Sequence, residues 1–135
     1  MKVLIDTNIL LDVLCKRNGF YEDAAKIFRL CEIGKLSGYI SALSVPNLVY
    51  IMRKELNAER IRDILEKLSL IFTVADLKAD DLIRAAETNF KDYEDALQSV
   101  CAVRVKADYI ITRNTKDFVG SKVPAVLPQE FLSKI

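Results

Sequence analysis

The chain has 135 residues, 51% of them hydrophobic and 29% charged, and its 20 Lys plus Arg nearly cancel its 19 Asp plus Glu, leaving a net charge of +1. This size and balance fit one domain spanning 1–135 and exclude a disordered acidic or basic tail protein. Histidine is absent, which removes Ser-His-Asp, Cys-His and HExxH chemistry and leaves carboxylates, metals, Lys, Tyr or Cys to carry any catalysis. Cys15, Cys31 and Cys101 are odd in number and widely spaced within apolar helical patterns, which argues for core thiols in a reducing compartment rather than disulfides or a zinc cluster. Asp6 and Asp12 interrupt the first apolar stretch, so neither a signal peptide nor a membrane span is expected, and the reading is cytoplasmic with no membrane partner.

In chain order, Lys2 to Asp6 reads as a short buried strand, followed by a helix from about Ile9 to Cys15 with Thr7 and Asn8 as capping residues. After Asn18-Gly19, the spacing of Phe20, Ala24, Ile27, Phe28 and Cys31 predicts a second helix stopped by Gly34. Ser37 to Ser41 reads as the second strand, and Val45, Leu48, Val49, Met52 and Leu56 as a helix with Pro46 in its first turn. Asn57 caps a helix carrying Ile61, Ile64, Leu65 and Leu68, and Leu70 to Val74 reads as a strand. Helices follow from about Lys78 to Asn89 and from Tyr93 through Val105. Ala107 to Thr112 is the clearest strand, and a short strand around Ala125 to Leu127 precedes a helix opened by Pro128. Strands alternating with helices imply right-handed crossovers, hence an α/β fold: a three-layer α/β/α sandwich around a short parallel sheet. The scattered glycines form no phosphate-binding loop.

In such a sheet the site lies outside the carboxyl ends of the strands. Asp6 ends the first strand, Asn47 lies in the first turn of the helix after the second, Asp95 opens the helix leading to the Ala107 strand, and Asp117 follows that strand. Three carboxylates and an amide at one edge suit a hard cation such as Mg²⁺ or Mn²⁺. Most of these residues and their neighbours have an ordinary alternative. Asp95, beside Asp92 and Glu94, suits a helix dipole, Thr7 and Asn8 suit caps, Asp117 suits a loop, and Asp12 suits a salt bridge or solvent. Asp6 has no cheap alternative, because a carboxylate ending a buried strand must be paired or coordinate a metal. Arg113, Lys116, Arg53 and Lys54 are candidate phosphate contacts or counter-charges, and Tyr93 is a candidate stacking surface.

Asp6-Thr7-Asn8 after a hydrophobic strand, Ser41-Ala42-Leu43-Ser44 opening a helix, Asp92-Tyr93-Glu94-Asp95-Ala96-Leu97-Gln98, and Thr112-Arg113-Asn114 with Asp117-Phe118 occur in the order found in PIN domains. The chain resembles that superfamily along essentially its whole length, and within it the small stand-alone members related to VapC toxins. The resemblance implies a metal-dependent endoribonuclease acting on RNA, often a homodimer and often neutralised by an antitoxin protein. It also implies that Asp6, Asp95 and Asp117, helped by Asn47, hold Mg²⁺ or Mn²⁺, with Thr7, Asn8, Thr112 and Asn114 around them. Asn47 departs from the pattern, standing where many relatives have Glu, and the fourth acidic position is shared between Asn114 and Asp117. The neutral Asn47 keeps a second reading open, a PIN-like module that binds RNA or protein without efficient catalysis. A haloacid dehalogenase-type phosphatase is disfavoured because Asp6-Thr7-Asn8 lacks a second Asp two residues on.

Overall fold

The computed structural model describes residues 1–135. Five parallel strands, β1 (Lys2–Ile5), β2 (Ser37–Ser41), β3 (Thr73–Ala75), β4 (Tyr109–Ile111) and β5 (Ala125–Val126), lie in the order β3-β2-β1-β4-β5. The chain fills one side of β1 with β2 and β3 and then crosses to the other with β4 and β5. The strand order therefore reverses between β1 and β4, where an open α/β sheet has its crevice.

The helices are α1 (Thr7–Leu14), α2 (Tyr21–Glu32), α3 (Ser44–Met52), α4 (Ala58–Ile71), α5 (Ala79–Ala86), α6 (Tyr93–Arg104) and α7 (Pro128–Ser133). Side chains alternate along each strand, and the alternation builds both layers. Val3, Ile5 and Ile111 join the larger core with α1 to α4 and α7, whereas Leu4 and Ile110 pack with Cys101 and Ala102 of α6 on the opposite face. Burial on both faces explains why β1 reads as an uninterrupted apolar run. The three-layer sandwich expected from the sequence is the observed architecture. No helix is long and apolar enough to cross a membrane.

Several boundaries differ from the sequence reading. Leu70 and Ile71 belong to the last turn of α4 rather than to a strand, and Leu70 is 86% exposed on its outer side. The run Leu68-Ser69-Leu70-Ile71-Phe72 is ambiguous between the two periods; the buried Phe72 settles it, donating its N–H to Leu68 O and packing edge-on against Phe28 at 4.9 Å. Gly38 in β2 faces that same contact, and a Cβ there would lie 2.6 Å from Cys31 Sγ and 2.7 Å from the Phe72 ring. α3 ends at Met52, which leaves Arg53 and Lys54 in the following turn, and α5 ends at Ala86. Thr115–Phe118 forms a 3-10 turn after β4 that has no periodic signal. Asn57 caps α4 as expected, its Oδ1 accepting the Arg60 N–H at 2.8 Å, but the cap of α1 is Asp6 itself rather than Thr7 or Asn8.

Candidate active site

Asp6 leaves β1 at the strand-order reversal and is 8% exposed. Its backbone N–H continues the ladder to Ile111 O, while its carboxylate turns back on the start of α1, Oδ1 accepting the Thr7 N–H at 2.8 Å. Oδ2 accepts the Thr112 hydroxyl, also at 2.8 Å, from the end of β4. Thr112 Oγ1 in turn accepts the Asn114 N–H at 3.1 Å and Asn8 Nδ2 at 3.5 Å, and Asn8 Oδ1 accepts the Arg113 N–H at 3.4 Å. The Thr-Arg-Asn segment is thereby stitched to α1, with Asp6 fixed between them. Below it, Thr7 Oγ1 and Ser44 Oγ are 2.8 Å apart, and the buried Gln98 donates to Ser44 Oγ at 3.1 Å, tying α1, α3 and α6 together beneath the strand ends.

The other carboxylates come from α6 and the 3-10 turn. Asp92 caps α6, accepting the Asp95 N–H at 3.0 Å, and so directs the first turn of that helix toward the sheet edge. Asp92, Asp95 and Asp117 line a cleft of about 490 Å³ together with Lys91 and Lys116. Burial pushes the Asp95 carboxyl up to about 7, with the negative charges of Asp92, Asp6, Asp117 and Glu94 adding to it. Asp6 is raised by burial, further raised by Asp117 and Asp92, and partly relieved by the hydrogen bonds from Thr112 and Thr7. Five acids therefore act on one another across this edge.

Asn47 reaches the same region from α3 and donates to Glu94 Oε1 at 2.7 Å. The position without a carboxylate thus holds one from another element. Glu94 is raised by loss of water around its carboxyl, then by Asp92 and Asp6, against the lowering effect of the Asn47 amide. Sequence spacing gave no reason to single out Glu94 from the acidic start of α6. The signal for Gln98 was present, since it interrupts the apolar inward positions of that helix.

Three of the four candidate basic residues are placed elsewhere. Arg113 Nε lies 2.9 Å from Asp12 Oδ2, and its guanidinium covers Phe20 at 4.1 Å, so it neutralises a buried carboxylate on α1. Asp12 is fully buried between Arg113 and Arg17, and burial raises its carboxyl despite both arginines. Arg53 and Lys54 lie over the Tyr50 ring, at 4.5 and 5.5 Å. Lys116 is the candidate that lines the cleft. The Tyr93 hydroxyl donates to Leu82 O at 2.8 Å, which ties the ring to α5, outside the cleft walls.

No three His, Cys, Asp or Glu side chains close around one point as a ready-made cage. The donor set nonetheless fits a hard cation: it is all oxygen, mostly anionic, and the carboxylates of Asp6 and Asp95 have no arginine partner to offset their burial.

A parallel sheet of this order, with acids from the end of β1, the start of α6 and the turn after β4 gathered at its carboxyl edge, is an open α/β sheet whose candidate site lies at the strand-order reversal, and the sequence assigns it to a family. A PIN domain family model covers residues 2–116. The chain belongs to the PIN domain family. It is similar to Ribonuclease VapC1 of Aquifex aeolicus (strain VF5), at 23% identity over 98% of this chain and 94% of that protein. Among solved structures, FitAB bound to an IR36 DNA fragment matches with TM-score 0.71 and 18% identity over 93% of this chain and 94% of that one. A toxin-antitoxin complex from Klebsiella pneumoniae matches with TM-score 0.70 and 26% identity over 93% and 97%.

Proposed function

We propose that the chain, acting as one domain, is a Mg²⁺- or Mn²⁺-dependent endoribonuclease that hydrolyses RNA phosphodiester bonds as the toxin of a toxin-antitoxin pair. The observation that carries this reading is Asp6, buried at the strand-order reversal, held by Thr7 and Thr112 and surrounded by acids with no arginine counter-charge. Similarity to a ribonuclease VapC1 and to a toxin-antitoxin complex supports the substrate and the antitoxin partner. A homodimer is the expected assembly, on the PIN resemblance.

Asp6, Asp95 and Asp117 would hold the cation, with Glu94 supplying near Asn47 the charge that Asn47 lacks. When bound, the cation supplies charge neutralisation at the scissile phosphate and activation of water. Thr112 orients Asp6 by donating to Oδ2, and the Asn114 and Asn8 donors fix the Thr112 hydroxyl so that its proton points at that oxygen. Lys116 sets one positive charge in the cleft wall, where it attracts the incoming phosphate. No side chain is required as general base.

The second reading, RNA binding without efficient cleavage, is favoured by one observation, the neutral Asn47 engaged with Glu94. Cleavage of a structured RNA in Mg²⁺ or Mn²⁺, repeated with excess chelator, separates them. Metal-dependent cutting is expected, whereas binding without cutting would establish the module, and cutting in chelator would remove the metal from the mechanism.

A further inference from the structure

A second pocket of about 430 Å³ opens beside the acidic cleft and shares Asn89, Phe90 and Val119 with it. Its character is opposite. No carboxylate lines it; its walls include Phe90, Val100, Val103 and Val119, and its rim carries Arg84 and Lys122. Helix α6 connects the two compartments, since Asp95, Ser99 and Val103 follow at four-residue spacing on one face. At about 1.5 Å per residue, Ser99 lies about 6 Å and Val103 about 12 Å along the axis from Asp95.

The apolar wall is open rather than closed into the core: Val119 is 81% and Val103 39% exposed. Ser99 Oγ, in the pocket wall, lies 2.8 Å from Ser121 Oγ, and the two hydroxyls share one hydrogen bond. Lys122 forms no ion pair, and Arg84 is engaged with Asp80 at 2.7 Å in a pair that is two-thirds exposed and therefore weakly held. An aromatic and aliphatic wall accepts the face of any base, and an unpaired lysine on its rim accepts a phosphate.

We propose that this pocket seats an unpaired nucleotide of the RNA next to the phosphate held over the acidic cleft. The base packs against Phe90, Val100 and Val103, and the phosphate of that nucleotide is directed to Lys122 and Arg84. A base inside a duplex cannot enter, because its face is covered by its stacked neighbours, so the pocket selects single-stranded or loop segments. The identity of the neighbouring phosphate as the scissile one rests on the nuclease reading; the pocket itself does not.

The test uses the full chain with Mn²⁺, a labelled single-stranded oligoribonucleotide, and the same oligomer with one abasic site walked along it. Binding is read by anisotropy and cleavage by KM and kcat, for wild type, Val103→Asp, Lys122→Glu and the charge control Lys35→Glu. All three positions are exposed, and unchanged melting temperatures confirm folding. Val103→Asp and Lys122→Glu are each expected to weaken binding, or raise KM, about tenfold with kcat preserved, while Lys35→Glu changes nothing. At one abasic position, next to the cleaved bond, the loss of the base should match the loss from Val103→Asp, and the two together should cost no more than either alone. Additive losses at every position, or effects no larger than that of Lys35→Glu, would overturn the pocket. Cleavage without the coupling keeps the nuclease and sinks the pocket; coupling in binding without cleavage sinks the nuclease and keeps the pocket.

Discussion

Asp81 and Asp6 are both buried carboxylates, 2% and 8% exposed, and they have opposite electrostatic fates. Asp81, in the first turn of α5, receives Arg104 Nε at 3.2 Å and Nη2 at 3.0 Å and the Lys78 N–H at 3.0 Å. Burial alone would raise its carboxyl, but those donors outweigh it and hold it below the ordinary range. Arg104 also reaches Asp76 O, so one guanidinium fastens α6 to both ends of the β3–α5 connection. Asp6 receives two neutral donors, and its charged neighbours, Asp117 and Asp92, share its sign. A carboxylate buried beside arginine serves the fold. One buried among other carboxylates costs the fold stability, a cost that a bound cation would offset on the function proposed above.

The largest effect that would test this contrast is at Asp6. Asp6→Asn keeps the shape and the Thr7 contact and removes the charge, so RNA cleavage is expected to fall more than about hundredfold with the fold retained. A rate within a few-fold of wild type would show that the buried acid is not functional. Arg104→Met makes the converse break. It leaves Asp81 buried without its partner and should cost about 3 kcal/mol, or a melting temperature lower by about 10 °C at neutral pH, with the cleft chemistry unchanged. Because the folded carboxyl is held below its unfolded value, this stabilisation is present above about pH 4 and disappears as pH falls through the lowered value. The deficit of the variant should therefore shrink in acid, and a deficit constant with pH would mean that packing rather than charge is lost.

Asp6 was legible in the sequence because strand period and burial alone force a carboxylate at the end of β1 to find a partner. The fold class was legible for the same reason, since alternating periods leave few arrangements. Partnerships were not. Arg113 lies one residue from Thr112, yet its side chain serves Asp12 of α1, a pairing set by how the segment after β4 lies against α1. Glu94 and Asn47 are separated by 47 residues and meet only because α3 and α6 both begin at the carboxyl edge. Local composition carries no record of such distances.

An effect of intermediate size comes from the donors that the sequence placed near Asp6. Thr112→Val removes the hydroxyl that orients Oδ2 and leaves the isosteric shape, and metal affinity is expected to drop about tenfold. Titration of metal-induced stabilisation measures this without substrate, and unchanged affinity would reduce Thr112 to a strand-end contact. At Asn47 two changes compete. Asn47→Glu adds an anionic oxygen toward a cation but breaks the 2.7 Å bond to Glu94 and sets two carboxylates together. The metal-free protein should therefore be less stable than wild type, and the stabilisation on adding Mg²⁺ should be larger; a loss of both would place Asn47 outside the cation's reach.

The smallest effect is the most discriminating, because its sign differs between the two roles open to Asp95. As a helix-dipole residue in the first turn of α6 it would stabilise by about 0.3 to 1 kcal/mol, and Asp95→Asn would lower the melting temperature slightly at all pH values above its titration. As a member of the repelling cluster its folded carboxyl is pushed up to about 7 from 3.8. The folded state then binds the proton more tightly than the unfolded one. Stability is greatest below about pH 4 and falls as pH rises to about 7, beyond which the loss is complete. Asparagine does not titrate, so in chelator the variant should match wild type near pH 4 and gain on it up to neutrality. The neutral-pH melting temperature should end about 4 °C higher, the equivalent of about 1 kcal/mol once solvent screening of this half-buried group is allowed for. The same substitution should reduce the stabilisation that Mn²⁺ gives. A variant less stable than wild type at neutral pH and equally responsive to Mn²⁺ would return Asp95 to the class of Asp81, an acid that serves the helix and not the cleft.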